Sequence, residues 1–277
     1  MKLRVALAQM NIVQFQPEAN LKTARAFVEE AVRLNANLIV FPEVFLTGPL
    51  MGHLEYADKN SELIGEIKQM AKTWKIDIVA GSIIEKEGRK FFNVCYYVDF
   101  KGNLKARYKK IHLWNTEARY LSAGDRVSVF PTRFGIVGIG ICWDLAFPEF
   151  FRALKLSGAR IVFVPSYWSF GYPEHDFSLS RKVMRSFVDS LCLARAFENE
   201  IVLVYCNAAG ELRYGEGTRE TLVGHSQVTA PILGVFKKLN HNRAALCVVE
   251  ANLKITDRAE KVYKIMDLYN RSKFVAN

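Results

Sequence analysis

The sequence is poor in the features that mark secreted, disulfide-bonded or metal-binding proteins. It has 5 cysteines in 277 residues, an odd number, widely spaced and without a Cys-x-x-Cys pair. This spacing argues against a disulfide framework and against a zinc site. The 5 histidines lie far apart, with no His-x-x-x-His pair. We therefore expect no metal and no cofactor, and a reducing, cytoplasmic location.

Long apolar runs and phosphate-binding glycine motifs are also missing. No run reaches the roughly 18 apolar residues that a membrane-spanning helix needs, and the apolar stretch in MKLRVALAQM is too short for a signal peptide. Neither Gly-x-Gly-x-x-Gly nor a P-loop occurs at a strand–helix junction. We predict no membrane association, and nucleotide binding has no support.

The composition is that of a globular protein with a substantial core. Hydrophobic residues make up 50% of the chain and charged residues 24%, and 277 residues is a common length for one large α/β domain. The net charge of +10 is compatible with nucleic acid, an anionic substrate or a lysine-rich surface. A stripe formed by Lys101, Lys105, Arg107, Lys109 and Lys110 keeps a nucleic-acid-binding protein as a remote alternative. Because no nucleic-acid motif is present and the charge is dispersed, we predict no nucleic-acid partner.

Hydrophobic periodicity predicts alternating strands and helices, and hence a layered α/β fold. Turn signals within 76–113 and 221–251 predict antiparallel neighbours, so the sheets should be mixed. The predicted helices are 17–34, 61–74, 148–157, 176–198 and a C-terminal stripe within 258–274. The predicted strands are 5–10, 38–41, 76–84, 91–98, 104–113, 127–130, 135–142, 160–165, 201–206, 221–229, 234–236 and 245–251, with a loop at 114–126.

Three predicted strands end in chemically apt residues: Glu43 in Phe-Pro-Glu, Lys110 in Tyr-Lys-Lys-Ile-His, and Cys142 in Cys-Trp-Asp. Sites in open α/β sheets form at strand ends, so the three side chains could share one pocket. A thiol needs a base to become a thiolate, and a buried carboxylate such as Glu43 suits that role. Lys110 and the backbone amide of Trp143 could stabilise the negative charge that grows during attack on an amide or nitrile.

These three segments resemble the signatures of the nitrilase superfamily of carbon–nitrogen hydrolases. Further points of similarity are Ala8-Gln9, Gly48, Gly124-Asp125 and Gly224-His-Ser226. The resemblance implies a Glu–Lys–Cys triad in which Glu43 is the general base, Lys110 stabilises the oxyanion and Cys142 is the nucleophile. It also implies a four-layer α-β-β-α sandwich with two mixed sheets.

The resemblance further implies one domain over 1–277, paired as a homodimer or higher homo-oligomer. Residues 253–277 would then be a C-terminal extension at the subunit interface.

Several other residues are candidates for the site. By resemblance, Glu117, 7 residues after Lys110, orients the substrate or the lysine, although it could be a surface loop residue. Trp143, His112, Tyr167 and Trp168 are candidate substrate-binding residues. His112 could equally make a structural hydrogen bond, and the aromatic group Tyr167, Trp168, Phe170 and Tyr172 could line the pocket or cover the edge of the core.

The residues after the nucleophile bear on the substrate. Cys142-Trp-Asp144 followed by Phe147-Pro-Glu149 looks more like the amidase and carbamoylase branches than like true nitrilases. We therefore predict hydrolysis of a small linear amide or N-carbamoyl compound, with a nitrile as the alternative. Leu145 stands where carbamoylases for amino acids often carry arginine, which disfavours an N-carbamoyl amino acid. The intact triad argues against a third hypothesis, that the protein is an inactive scaffold.

Overall fold

The computed structural model describes residues 2–171, 180–214 and 218–271, which contain two large β-sheets and six helices. The strands are β1 (Lys2–Gln9), β2 (Leu38–Val40), β3 (Asp77–Val79), β4 (Ile83–Glu87), β5 (Lys90–Val98), β6 (Leu104–Lys109), β7 (Ser128–Thr132), β8 (Gly135–Ile139), β9 (Ile161–Ser166), β10 (Val202–Asn207), β11 (Glu211–Tyr214), β12 (Thr218–Thr221), β13 (Gln227–Ala230), β14 (Gly234–Lys238) and β15 (Ala245–Asn252). The helices are α1 (Pro17–Arg33), α2 (Glu62–Trp74), α3 (Pro148–Leu156), α4 (Arg181–Glu198), α5 (Lys254–Tyr263) and α6 (Ile265–Arg271).

Both large sheets are mixed, as predicted. In the first sheet, β15, β1, β2, β3 and β5 are neighbours in that order, and β4 and β6 also pair with β5. The second sheet has the order β14-β13-β10-β9-β8-β7. In each sheet the central strands are parallel and the outer pairs are antiparallel. β11 and β12 form a separate two-stranded ribbon.

The two large sheets pack face to face, with helices on both outer faces. Val5 and Val40 of the first sheet share one buried cluster with Ile139 and Val204 of the second. The outer face of the first sheet is buried under α1 and α2, and α3 and α4 cover the second sheet. The α-β-β-α sandwich is therefore confirmed, and its strand-end edge holds the candidate catalytic residues.

Most helices and strands lie within a few residues of their predicted positions, and three predictions were wrong in detail. The strand predicted at 76–84 is two strands, β3 and β4, because Ala80-Gly-Ser82 interrupts the pairing. The strand predicted at 221–229 is likewise divided between β12 and β13, and β11 was missed. The C-terminal stripe forms two helices, since Lys264 takes a left-handed conformation with φ of 52°. Positions 176–179 and 272–274 of the predicted helices lie outside the described residues.

Candidate active site

Four strand ends bring the candidate residues to one cavity of about 260 Å³. Glu43 follows β2, Lys110 follows β6, Cys142 follows β8, and Tyr167 follows β9. Glu117 joins them from a short 3₁₀ turn, Glu117–Arg119, in the loop after β6. All five residues line the cavity. The structure therefore brings together the triad, Glu117 and Tyr167, of which Glu43 and Tyr167 are 124 positions apart in the sequence.

Lys110 occupies the centre of the charged group. Its Nζ donates to Glu43 Oε1 at 2.7 Å and to Glu117 Oε2 at 2.6 Å, and its side chain is 1% exposed. Burial alone would lower the pKa of Lys110, but the carboxylates of Glu117 and Glu43 outweigh burial and raise that pKa well above its ordinary value. The ammonium is thus charged and is held between two carboxylates.

Asn93 on β5 is a member of the site that the sequence did not reveal. Its Nδ2 donates to Glu43 Oε1 and to Glu117 Oε1, both at 2.9 Å, and its backbone carbonyl accepts from the amide of Lys110 at 2.8 Å. Asn93 is fully buried. The one available signal was a polar residue in the otherwise apolar stretch Phe92-Asn-Val94, where a buried amide needs partners.

Cys142 begins a short 3₁₀ turn, Cys142–Ala146, directly after β8. Its φ of 43° is a left-handed conformation that non-glycine residues seldom adopt, and such strain is often found at functional sites. Burial raises the pKa of the Cys142 thiol well above its ordinary value, and the charge of Glu43 raises it further, against the opposing effect of Lys110. The resting thiol is therefore neutral and needs a base.

Glu43 is placed to be that base. Burial raises the pKa of its carboxyl above the ordinary value, although the charge of Lys110 opposes the rise. Its second oxygen, Oε2, accepts from the backbone amide of Tyr167 at 2.9 Å, and its side chain hydrogen-bonds with Cys142. Gly81, with φ of 44°, packs against the carbonyl of Pro42 where a Cβ would clash, so the segment before Glu43 is tightly fixed.

Asp144 connects the turn that carries Cys142 to the segment that carries Lys110. Its Oδ2 accepts from the backbone amide of Ile141 at 2.8 Å and from the hydroxyl of Tyr108 at 2.7 Å. Its Oδ1 accepts from the amide of His112 at 3.1 Å and lies 2.7 Å from Nδ1 of the same residue. Asp144 is fully buried. We call this group, Tyr108, Ile141, His112 and Asp144, the Asp144 clamp.

The wall of the cavity is largely aromatic. Trp143 is the centre of this wall, with ring centroids 4.4 Å from Trp114 and 5.5 Å from Trp168. Tyr167 also lines the cavity, so three of the four candidate substrate-binding residues, Trp143, Tyr167 and Trp168, are in its wall. The fourth, His112, is absent from the described lining and stacks on Phe147 at 3.7 Å while bonding Asp144. Tyr172 lies outside the described residues.

Three of the five residues in the basic stripe considered for nucleic acid are paired with carboxylates. Lys110 is buried in the site, Lys109 pairs with Glu87 at 2.9 Å, and Arg107 pairs with both Glu85 and Glu87. Within the described parts of the chain, no cluster of three or more His, Cys, Asp or Glu side chains is arranged to hold a metal ion. The helices among those residues are too short or too polar to cross a membrane.

Comparison with known proteins identifies the family. The model of the carbon-nitrogen hydrolase family matches residues 4–261. The chain belongs to that family. The resemblance read from the three strand-end segments is thereby confirmed, and the match covers both sheets and the whole cavity.

Relatives in the carbon-nitrogen hydrolase family cover nearly the whole chain. A protein from Schizosaccharomyces pombe named as a probable nitrilase is 31% identical, over 98% of this chain and 98% of its own length. The 2-oxoglutaramate amidase of Bacillus subtilis is 30% identical, over 94% of each protein. The crystal structure of Nit3 from Saccharomyces cerevisiae, a member of branch 10 of the nitrilase superfamily, superimposes with a TM-score of 0.81 at 23% identity, covering 94% of this chain and 93% of that one. This structural likeness shows the same fold.

Proposed function

We propose that the protein is an amidase that hydrolyses a small linear carboxamide through a thioester on Cys142. The observation that carries the proposal is the placement of Lys110 between Glu43 and Glu117 in the cavity that also exposes Cys142. A buried base beside a buried thiol, with a fixed cation next to both, is the arrangement that acyl transfer to sulfur requires.

In the first half-reaction, Glu43 takes the proton of the Cys142 thiol as the sulfur attacks the amide carbon. Negative charge then develops on the amide oxygen, and Lys110 with the backbone amide of Trp143 stabilises it. When the tetrahedral intermediate collapses, the C–N bond breaks and Glu43 returns the proton to the leaving nitrogen. Ammonia or an amine departs, and the acyl group remains on sulfur as a thioester.

In the second half-reaction, Glu43 activates a water molecule that attacks the thioester. The carboxylic acid leaves and the thiol is regenerated, so the reaction needs no oxidant, reductant or cofactor. Glu117 accepts a hydrogen bond from Lys110 and another from the backbone amide of Trp114 at 2.8 Å. The second bond fixes the loop that bears Trp114 and Glu117. We assign Glu117 to positioning Lys110 and the substrate amide.

Amides are favoured over nitriles because Cys142-Trp-Asp144 followed by Phe147-Pro-Glu149 resembles the amidase branch of the family. N-carbamoyl compounds are a second class that the same chemistry could hydrolyse. Leu145 is fully buried in the core and absent from the described lining, so it does not contribute to substrate recognition in this cavity.

The test combines turnover with trapping of the intermediate. Ammonia release is measured with carboxamides, N-carbamoyl compounds and nitriles, and acid-quenched samples are analysed by intact mass for an acyl group on Cys142. We expect turnover and an adduct with carboxamides, and neither with Cys142→Ala. Cys247→Ala is the matched control, because Cys247 is also a buried free thiol but is outside the described lining. Turnover by Cys142→Ala at the normal rate would refute the mechanism.

We also propose that the protein is a homodimer that pairs through helices α3 to α6. The described surface of these helices is rich in large exposed apolar side chains. They are Leu156, Phe197, Val262, Leu268 and Tyr269. Exposed apolar patches of this kind support protein–protein contact.

A further inference from the structure

The wall of the cavity suggests which acyl groups it accepts. Trp114, Trp143 and Trp168 form a contiguous aromatic surface. The indole Nε1 of Trp168 donates a hydrogen bond to Met184 Sδ at 3.1 Å. The remaining apolar residues of the described lining come from five separate segments, and include Val44, Ile84, Tyr120, Tyr167 and Phe187. Such a wall gains free energy by removing apolar substrate surface from water.

The charges in the cavity do not favour an anionic substrate. Among the described lining residues the charged side chains are Glu43, Glu117 and Lys110, with a formal sum of −1. Both carboxylates accept from Lys110 at 2.6 to 2.7 Å, so its charge is already compensated. A second carboxylate on the substrate would lose its hydration and gain no free counter-ion from the described lining residues.

Two further cations, Arg181 and Arg185, lie on α4 close in sequence to the lining residue Met184. The guanidinium carbons of Arg181 and Arg185 on α4 are each 5.2 Å from the ring centroid of Phe170. Neither arginine is in the described lining.

We propose that this site selects neutral carboxamides with an apolar acyl chain and discriminates against amides that bear a second carboxylate. The proposal rests on the amidase function proposed above and adds the substrate class. It also sets this chain apart from its relative in Bacillus subtilis, which is named for an amide that carries a carboxylate. We expect a preference of at least about 10²-fold in kcat/KM, since an unpaired charge is costly in an apolar pocket.

The test uses two amides of the same shape. Glutaramate carries a carboxylate three methylenes from its amide carbon, and 5-methylhexanamide has an isopropyl group in that place. Their kcat/KM values are compared by ammonia release, and their affinities for the Cys142→Ala variant are measured by calorimetry. We expect 5-methylhexanamide to be turned over faster and to bind more tightly.

A charge placed in the wall should reverse part of the preference. Phe187 on α4 lines the cavity and is 48% exposed, so Phe187→Lys can be made without opening the core. This variant should raise kcat/KM for glutaramate relative to 5-methylhexanamide by about 10-fold or more. Leu193→Lys is the matched control, because Leu193 is on the same helix, 40% exposed and outside the described lining. It should leave the ratio unchanged.

The outcomes separate this proposal from the amidase function. Equal or better use of glutaramate by the unaltered enzyme, with turnover that depends on Cys142, would overturn the substrate class and leave the amidase function standing. Absence of turnover with every carboxamide would overturn the amidase function, and the affinities for Cys142→Ala would still decide the substrate class. Tighter binding of glutaramate, or no binding of either compound, would count against the proposed substrate class.

Discussion

At the scale of single residues, the site depends on compensation of buried charge. Two carboxylates and one ammonium leave an excess negative charge in a largely buried group. Asn93 stabilises that charge, because its Nδ2 donates to one oxygen of each carboxylate at 2.9 Å. A hydrogen bond to the charged form of a carboxyl lowers its pKa, so Asn93 opposes the rise that burial causes at Glu43.

Replacing Asn93 by leucine should therefore lower activity and shift its pH dependence. The variant loses both hydrogen bonds, so the pKa of Glu43 should rise further above its ordinary value. Since Glu43 must be deprotonated to accept the thiol proton, the acidic limb of kcat/KM should move to higher pH. We expect a loss of about 10²-fold near neutral pH that is partly recovered as the pH is raised.

The control for this prediction is Asn20→Leu. Asn20 is also a buried asparagine, but its amide bonds the backbone of Val13 and Leu46 and neither of the two carboxylates. Asn20→Leu should lower the melting temperature without moving the acidic limb. If the two variants had the same pH profile, Asn93 would have no special influence on Glu43.

At the scale of secondary-structure elements, the Asp144 clamp holds two strand ends in register across the two sheets. Tyr108 lies in β6 of the first sheet, His112 follows that strand, and Ile141 follows β8 of the second sheet. All three donate to Asp144. Gly124 reinforces the same region, because its amide donates to the carbonyl of Lys110 at 2.8 Å at a place where a Cβ would clash with Lys109. The clamp thus fixes the distance between the Lys110 segment and the strained turn at Cys142.

Asp144→Asn should weaken both the fold and the nucleophile. An asparagine keeps one acceptor oxygen and directs an NH₂ group at donors, so we expect a loss of about 1.5 to 3 kcal/mol in the free energy of unfolding. We also expect kcat to fall by about 10-fold or more with KM little changed, because the turn bearing Cys142 loses its anchor. Urea denaturation, steady-state kinetics and the rate of Cys142 alkylation by iodoacetamide measure the three effects.

Asp125→Asn is the matched control, since Asp125 is an exposed carboxylate in the loop that packs on the same segment. It should leave stability, kcat and alkylation near their original values. An Asp144→Asn variant with reduced stability but an unchanged kcat and alkylation rate would show that the clamp supports the fold alone.

Local sequence patterns were sufficient to locate the candidate site residues at the strand ends, but not the residues that connect them. Glu43, Lys110 and Cys142 could be found because each lies at the end of a predicted strand in a recognisable segment. Asn93 could not, because its partners come from two loops that are 50 and 24 positions away. The break between β3 and β4 was hidden for a related reason. The run Ile76–Ile84 is largely apolar, and only tertiary pairing shows where the chain leaves the sheet.

The structural role of His112 illustrates the same limit. Its place in Tyr-Lys-Lys-Ile-His suggested substrate contact or a structural bond equally well. The decision depends on Asp144, 32 positions later in the chain. No periodicity links the two residues, so only the packing of the sheets could show that they meet.

At the scale of the whole molecule, helices α3 to α6 form one joined surface. Phe197 of α4 contacts Tyr263 of α5 at 5.1 Å between ring centroids, and Lys155 of α3 pairs with Glu260 of α5 at 2.5 Å. Exposure of Val262 and Leu268 is 61% and 58%, which is high for apolar side chains on a monomer's surface. Burial of this surface against a second copy would remove that apolar area from water.

The homodimer can be tested by light scattering coupled to size-exclusion chromatography. We expect twice the 31.5 kDa mass of the chain at micromolar concentration. The double variant Val262→Glu with Leu268→Glu should give a single chain's mass, because four charges would face one another across a two-fold interface without counter-ions. Leu104→Glu, which changes a leucine that is 46% exposed on β6, should remain dimeric. A single chain's mass for the unaltered protein would refute the dimer, and a dimeric double variant would place the interface elsewhere on the molecule.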